Sequence, residues 1–295
     1  MNNFSFRGTG VAVVTPFTND GTIDFEALRN IINFQIENKV EYLVALGTTG
    51  EAVTLLSEEK KILINFFIET INKRVPLVVG FGGNSTYSVL ETIQKADFQD
   101  ITAILSVAPY YNKPSQEGIF QHYKLIAENS PVPVIAYNVP GRTVVNMSAK
   151  TTLKLAYEVP NIVAIKEASG NFSQIMEIIT NKPADFQVIS GDDAITFPLI
   201  CCGVSGVISV IANAFPFEFS EMVRKALNLE IAEAKVLHYK LLPFMEAIFK
   251  EGSPGGIKAL MTEMQLLQNF CRLPMTATSE KNYSEIAALL KSWAK

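Results

Sequence analysis

Within the stretch NIVAIKEASG, residues 161–170, an aliphatic run of strand type is interrupted by a lysine, Lys166. Burying an ammonium group is costly unless it is paired or gives up its proton. A lysine that loses its proton in an apolar pocket exposes a nitrogen lone pair. It can then attack a ketone to form an imine, which serves as an electron sink. Strand alternation puts Lys166 on the same face as Ala164 and Ile162, the inside face if the sheet is closed. Taken alone, the strand leaves two readings open. Lys166 is either a nucleophile, or a structural lysine paired with a carboxylate or reaching to solvent.

Imine chemistry also needs groups that move protons. The chain has two histidines, His122 and His238, both in helix-like stretches away from any Cys or Asp at ligand spacing. They are expected on helix surfaces, which leaves a zinc site or a Ser-His-Asp triad short of parts. Tyrosine and threonine hydroxyls are the alternative. Tyr110, Tyr111 and Tyr137 fall at expected strand ends, and Thr48 and Thr49 at another. A Tyr-Thr-Tyr relay passes protons without a permanent charge, although the same residue types also simply pack in strands. Arg142, in YNVPGRT, suits a bidentate contact to a substrate carboxylate, or is a solvated loop residue. The hydroxyls and backbone N–H groups of GTTG, residues 47–50, suit a carboxylate too, or form only a turn. Asp192 and Asp193 lack histidine support for a metal and read as helix N-capping acids. GFGGNS departs from the phosphate-binding G-x-G-x-x-G because Ser85 takes the last position. No metal or cofactor is expected.

These groups need elements to carry them. Short β-branched runs at 11–14, 42–46, 76–81, 103–108, 132–137, 162–165, 186–190 and 206–211 alternate with amphipathic stretches at 25–37, 58–71, 87–95, 118–128, 148–157, 172–180, 194–201 and 217–227. Many strands are apolar on both faces and no Asn-Gly or Asp-Gly hairpin joins them, so the sheet is expected to be parallel. Eight such units before residue 230 predict an α/β fold, a (β/α)8 TIM barrel, whose usual size is ~250 residues. A doubly wound sheet would show a glycine fingerprint after its first strand, where this chain has TPFTNDG. Helices expected at 231–250, 257–269 and 279–294 extend the barrel at its C-terminus, dividing the chain into a barrel, 1–229, and a helical region, 230–295. The Gly-Pro cluster at 252–256 reads as a turn. In such a barrel, catalytic groups sit at the C-terminal ends of the strands. GTTGE, GFGGNST, APYYNKPSQEG, YNVPGRT, Lys166-Glu167 and SGDD all fall there, which points to one shared pocket.

Bulk properties narrow the partners. Of 295 residues, 48% are apolar and 18% charged, as in a globular protein, and the net charge of −4 gives no basic footprint for nucleic acid. There is no apolar run of transmembrane length, and the start, MNNFSFRGTGVAVVTPF, lacks the marks of a secretory signal, so a cytoplasmic location is expected. Cys201, Cys202 and Cys271 do not make a disulfide framework and are expected as reduced, small apolar residues in helices.

Together GTTGE, PYYNKPSQEG, YNVPGRT, IKEASGN and SGDD, in this order and spacing, resemble the dihydrodipicolinate synthase family of pyruvate-dependent class I aldolases. The resemblance runs from the first strand to the C-terminal helices. It implies a metal-independent lyase of diaminopimelate and lysine biosynthesis, without a cofactor. Lys166 would form an imine with pyruvate, and the derived enamine would attack the aldehyde of L-aspartate semialdehyde. The same resemblance makes Tyr137 the acid and base beside the imine, with Thr48 and Tyr111 completing the relay. Tyr111 would reach into a neighbouring subunit's pocket, within a homotetramer built from dimers. Thr48 and Thr49 would hold the pyruvate carboxylate, with Gly191 and Ile208 beside it, and Arg142 would receive the semialdehyde carboxylate.

Two departures stand out. Family members inhibited by lysine tend to carry a histidine in the helix after GTTGE and a glutamate in the helix after the third strand. The matching residues here are Lys60 and Ser88, which implies weak or absent inhibition by lysine. EGSPGGIKAL replaces a segment that relatives often write NP-I-P-V-K, and is expected to lie away from the chemistry. Two other functions compete. Sister aldolases such as the N-acetylneuraminate lyases share the barrel, the G-[ST]-T-G-E motif and the lysine, but generally lack the arginine at the position of Arg142. A non-catalytic barrel that senses a keto acid would keep the carboxylate pocket and lose the nucleophile or relay, yet Lys166, Tyr137, Thr48 and Tyr111 are all present.

Overall fold

In the computed structural model, which describes residues 5–293, eight parallel strands close on themselves. They are β1 (Gly8–Ala12), β2 (Tyr42–Ala45), β3 (Leu77–Gly80), β4 (Ala103–Val107), β5 (Val134–Asn138), β6 (Ile162–Glu167), β7 (Gln187–Ser190) and β8 (Gly206–Ser209). Each pairs with the next, and β8 returns to β1 through Gly8–Gly206 and Gly10–Ile208. The structure is therefore the expected TIM barrel and not an open doubly wound sheet. Around it run α1 (Phe25–Glu37), α2 (Ser57–Ile71), α3 (Thr86–Lys95), α4 (Gln116–Asn129), a short α5 (Pro140–Thr143), α6 (Ala149–Glu158), α7 (Phe172–Asn181), α8 (Asp193–Cys201) and α9 (Pro216–Leu227). The chain continues in α10 (Ile231–Phe249), α11 (Gly255–Glu263) and α12 (Glu280–Trp293).

Local chemistry sets the starts of the outer helices. Asp24, Ser85, Ser115, Ser148, Asn171 and Asp192 each cap a helix by accepting a backbone N–H from its first turn. Strand alternation then sorts the apolar residues into two cores. Ala12, Val44, Val78, Leu105, Ile135, Ala164, Ile189 and Ile208 fill the barrel, while outward residues such as Leu43, Val79, Ile104 and Ile165 pack under the helices. The first strand ends earlier than its apolar pattern suggests, because the Val14 N–H donates to the side chain of Asn213.

Sequence alternation misplaces one residue of β6. Ile162 belongs to the outer core, not to the inside face of Lys166. The register against β5 slips between Val134 and Ile135, so Ile162 faces Val134 while Ala164 faces Ile135. A bulge of this kind inserts one residue and reverses the alternation below it. Ala164 and Lys166 stay on the inside.

Both histidines are buried rather than on helix surfaces. The Nδ1 of His122 lies 2.8 Å from the Thr86 hydroxyl, between α3 and α4, and burial pulls its pKa down to about 4. His238 packs between the rings of Phe197 and Tyr239. Of the cysteines only Cys201 lies in a helix, at the exposed last residue of α8; Cys271 is buried in the connection before α12. The glycines of EGSPGG are not all turn: Gly255 and Gly256 open α11. A Cβ on Gly256 would lie 2.2 Å from the Ile248 carbonyl oxygen, so α11 abuts α10 at a distance only glycine permits. That helix stops at Glu263, ahead of Gln265 in the left-handed region, φ 61°. Trp293 of α12 closes on Phe215 and Phe244, at 4.8 and 5.6 Å between ring centroids. No described helix is long and apolar enough to cross a membrane.

Candidate active site

Register decides which side chains meet inside the barrel. Tyr137 on β5 is the partner of Lys166 on β6, and Lys166 is in turn the partner of Ile189 on β7. Both Tyr137 and Lys166 point inward, and the Lys166 Nζ sits 4.4 Å from the centre of the Tyr137 ring. Lys166 is only 5% exposed, and it forms no ion pair with any described residue. Gly191, just past β7, presses on its stem. A Cβ there would lie 3.0 Å from the Lys166 Cε and 2.7 Å from the Ala168 Cβ. Ile208 on β8 lines the same interior.

The GTTGE loop follows β2. Thr48 is exposed at the barrel mouth and Thr49 is buried. The turn is held by Gly50 N–H to Gly47 carbonyl, Glu51 N–H to Thr48 carbonyl, and the Thr15 hydroxyl donating to the Gly50 carbonyl at 2.7 Å. Arg142 lies on α5 with an exposed side chain. Its loop is pinned on either side of it. The Met147 N–H donates to Asn138 Oδ1 at 2.9 Å, and the Asn146 amide donates to Gln174 at 2.8 Å. Tyr111 stands apart. It is 83% exposed, with φ 75°.

Beneath the inward pair runs an outward network that the sequence reading did not single out. The buried Glu167 carboxylate accepts from Asn138 Nδ2, from the Ser169 N–H at 2.7 Å and from the Gln174 amide at 3.2 Å. Burial raises its pKa, and these donors oppose the rise. The network ties the end of β5 to the end of β6, the two residues just past Tyr137 and Lys166. Asp192 caps α8 as expected. Its neighbour Asp193 does something else: its carboxylate accepts the Val210 and Ile211 N–H groups at 2.9 and 2.8 Å, anchoring the end of β8.

A third group corrects the placement of EGSPGGIKAL. Lys258, in α11, is fully buried and donates to the carboxylate of Glu51, the last residue of GTTGE, and to the Phe270 carbonyl at 2.9 Å. The segment thus touches the loop that carries Thr48 and Thr49. Among the described residues, no group of three or more His, Cys, Asp or Glu is arranged to hold a metal ion.

The model of the Dihydrodipicolinate synthetase family matches residues 5–293. The chain belongs to this family. A 4-hydroxy-tetrahydrodipicolinate synthase of Parabacteroides distasonis is 50% identical over 291 residues, 99% of this chain and 98% of that one. Among solved structures, the chloride-inhibited dihydrodipicolinate synthase of Acinetobacter baumannii, complexed with pyruvate, superposes with a TM-score of 0.95 at 40% identity, covering 98% of this chain and 99% of that one. A dihydrodipicolinate synthase variant described as the first monomeric one matches with TM-score 0.95 and 39% identity, over 98% and 97% of the two chains. In this dihydrodipicolinate synthetase family member, the acids that hold the site from outside share one signal. Glu51, Glu167 and Asp193 are acids placed directly beside loop or strand residues of the site, where the fold buries them.

Proposed function

We propose that this barrel is a 4-hydroxy-tetrahydrodipicolinate synthase that condenses pyruvate with L-aspartate semialdehyde through an imine on Lys166. The observation that carries the reading is the state of Lys166: buried, inward-facing, against the ring of Tyr137, and without an ionic partner among the described residues. A structural lysine so placed would need a carboxylate.

In this reading the Lys166 amine adds to C2 of pyruvate. The carbinolamine loses water to give the imine, and a proton leaves the methyl carbon to form an enamine. The enamine carbon attacks the semialdehyde carbonyl, whose oxygen takes a proton. The semialdehyde's amino group then adds to the imine carbon and expels Lys166 as a free amine, closing the ring with net loss of one water. Tyr137, beside the nitrogen, handles the protons, with Thr48 and Tyr111 as the rest of the relay. Thr48 and Thr49 hold the pyruvate carboxylate, with Gly191 and Ile208 beside it, and Arg142 at the mouth takes the semialdehyde carboxylate. The exposure of Tyr111 and its left-handed backbone support its delivery into a second subunit, within a homotetramer built from dimers. Barrel residues 1–229 carry the chemistry and residues 230–295 support them, in a cytoplasmic enzyme.

The test is to incubate the protein with pyruvate, reduce with borohydride, digest, and weigh the peptides. A pyruvyl increment on the Lys166 peptide is expected. No adduct on folded protein overturns the reading and leaves a keto-acid-binding barrel, and cleavage of a sugar acid would assign a sister aldolase instead.

A further inference from the structure

Glu51 is the one charged residue of the GTTGE loop, and it does not face the pocket. Its side chain is 2% exposed and accepts from the Lys258 ammonium and from the Arg272 N–H at 3.0 Å. Its backbone is left-handed, φ 53°, at the point where the turn carrying Thr48 and Thr49 passes into the chain leading to α2. Lys258 comes from α11, 207 residues away in sequence. Its nitrogen also lies 4.4 Å from the centre of the Phe17 ring, in the loop after β1. Arg272 continues the tie: its guanidinium makes a two-pronged pair with Glu59 at the start of α2, at 2.7 and 2.6 Å, and donates to the Gly21 carbonyl at 2.8 Å. One carboxylate thus joins the loops after β1 and β2 to the C-terminal helices.

A fully buried ion pair adds little net stability relative to apolar residues of similar shape, because both charges must be stripped of water. What it supplies is directional: two donors fix the carboxylate, and through it the end of a tight turn. The Glu51 N–H donates to the Thr48 carbonyl, so the position of Glu51 sets that of Thr48. We infer that Glu51 and Lys258 are positioning residues for the pyruvate end of the site, by which the C-terminal helical region sets the geometry of the Thr48–Thr49 turn. Neither residue touches substrate in this assignment. It rests on the synthase reading above.

The experiment compares the wild type with Glu51→Leu/Lys258→Met, which removes both buried charges, and with Glu51→Gln, which keeps the shape of the acid and one acceptor. Folding is followed by thermal melts. The kinetic constants are measured separately for pyruvate and for the semialdehyde. The expected result for the double variant is a folded protein whose KM for pyruvate rises roughly tenfold, with less than a twofold change in KM for the semialdehyde. The concentration of pyruvate needed for half-maximal borohydride trapping should rise in parallel. If the double variant does not fold, Glu51→Gln is expected to show the same split at smaller size. A folded variant with wild-type KM for pyruvate overturns the inference, as does a loss of Tm with all kinetic constants per folded subunit unchanged. Failure of the wild type to form any adduct with pyruvate overturns the synthase reading, and this inference with it.

Discussion

Replacing Gly191 by alanine tests whether the space beside Lys166 is part of the machinery. A Cβ at this position would lie 2.7 Å from the Ala168 Cβ, 3.0 Å from the Lys166 Cε and 3.2 Å from its Cγ. Ordinary carbon–carbon contact begins near ~3.5 Å, so the new methyl intrudes by about 0.8 Å on Ala168 and about 0.5 Å on the lysine stem. The Ala168 Cβ is fixed to its backbone and cannot turn away, whereas the lysine stem can. The methyl is therefore relieved by a small shift of the 191 backbone and a larger one of the Lys166 stem away from Gly191. Overpacking of this kind costs roughly 1–3 kcal/mol, which in a chain of this size lowers the melting temperature by about 2–6 °C. Displacing a nucleophile by up to an ångström costs up to ~100-fold in rate. Gly191→Ala should therefore remain folded while kcat/KM and the rate of borohydride trapping with pyruvate both fall by roughly 10- to 100-fold. Trapping isolates imine formation from the later steps and so locates the defect. A folded Gly191→Ala protein that traps pyruvate at the wild-type rate would refute the reasoning.

The site makes three further demands. Tyr111→Ala, at an exposed residue, should leave the melting temperature within about 1 °C of wild type and lower kcat by roughly 10²-fold. Mixing it with Lys166→Ala after subunit exchange should restore activity, because one pocket of a mixed pair then holds both residues; no recovery would argue that Tyr111 acts elsewhere. Burial pushes the Asp193 carboxyl up to about 6, against the hydrogen bonds it accepts from Ile211 and Val210. An unfolded carboxyl titrates near 3.8, so between about pH 4 and 6 the folded form holds more protons, and rising pH removes stability, about 3 kcal/mol in full. Asp193→Asn should therefore gain stability relative to the parent as pH rises through that window, and parallel denaturation curves at pH 4 and 7 would contradict this. With Lys60 and Ser88 at the positions that differ from lysine-sensitive relatives, the rate should respond to lysine only above ~1 mM, which corresponds to less than ~4 kcal/mol of binding; a micromolar inhibition constant in steady-state assays would refute it.

How much of this could be read in advance depended on the range of the interaction involved. Periodicity marked the eight strands and every helix but the four-residue α5, because it depends on neighbours within a few residues. It erred where a distant group intervened, as at Val14, whose N–H goes to Asn213, and at Ile162, displaced by a bulge that only pairing with β5 reveals. The pairing of Lys166 with Tyr137 rested on the family resemblance; from the residues alone, the costly strand-end lysine and the tyrosines at neighbouring strand ends were legible. The network of Glu167, Asn138 and Gln174 was not, since its members come from two strands and a helix and each looks ordinary alone. The histidines were misjudged for the same reason: what buries His122 is α3, which its own helix pattern does not record.

The two buried lysines differ in what the fold places around them. Lys166 and Lys258 are 5% and 0% exposed, and each lies 4.4 Å from the centre of an aromatic ring, Tyr137 and Phe17 respectively. Burial and aromatic contact therefore do not distinguish them. Lys258 donates to a carboxylate and a backbone carbonyl. Its charge is thereby compensated within the fold, and removing Glu51 alone would leave an uncompensated cation, at a typical cost of 3–5 kcal/mol. Lys166 has no such partner among the described residues, and its nitrogen lies over the Tyr137 ring. In the proposed reaction the counter-charge comes from the carboxylate of the bound keto acid. The same chain thus places one buried lysine where the fold supplies its counter-charge and another where the described residues supply none.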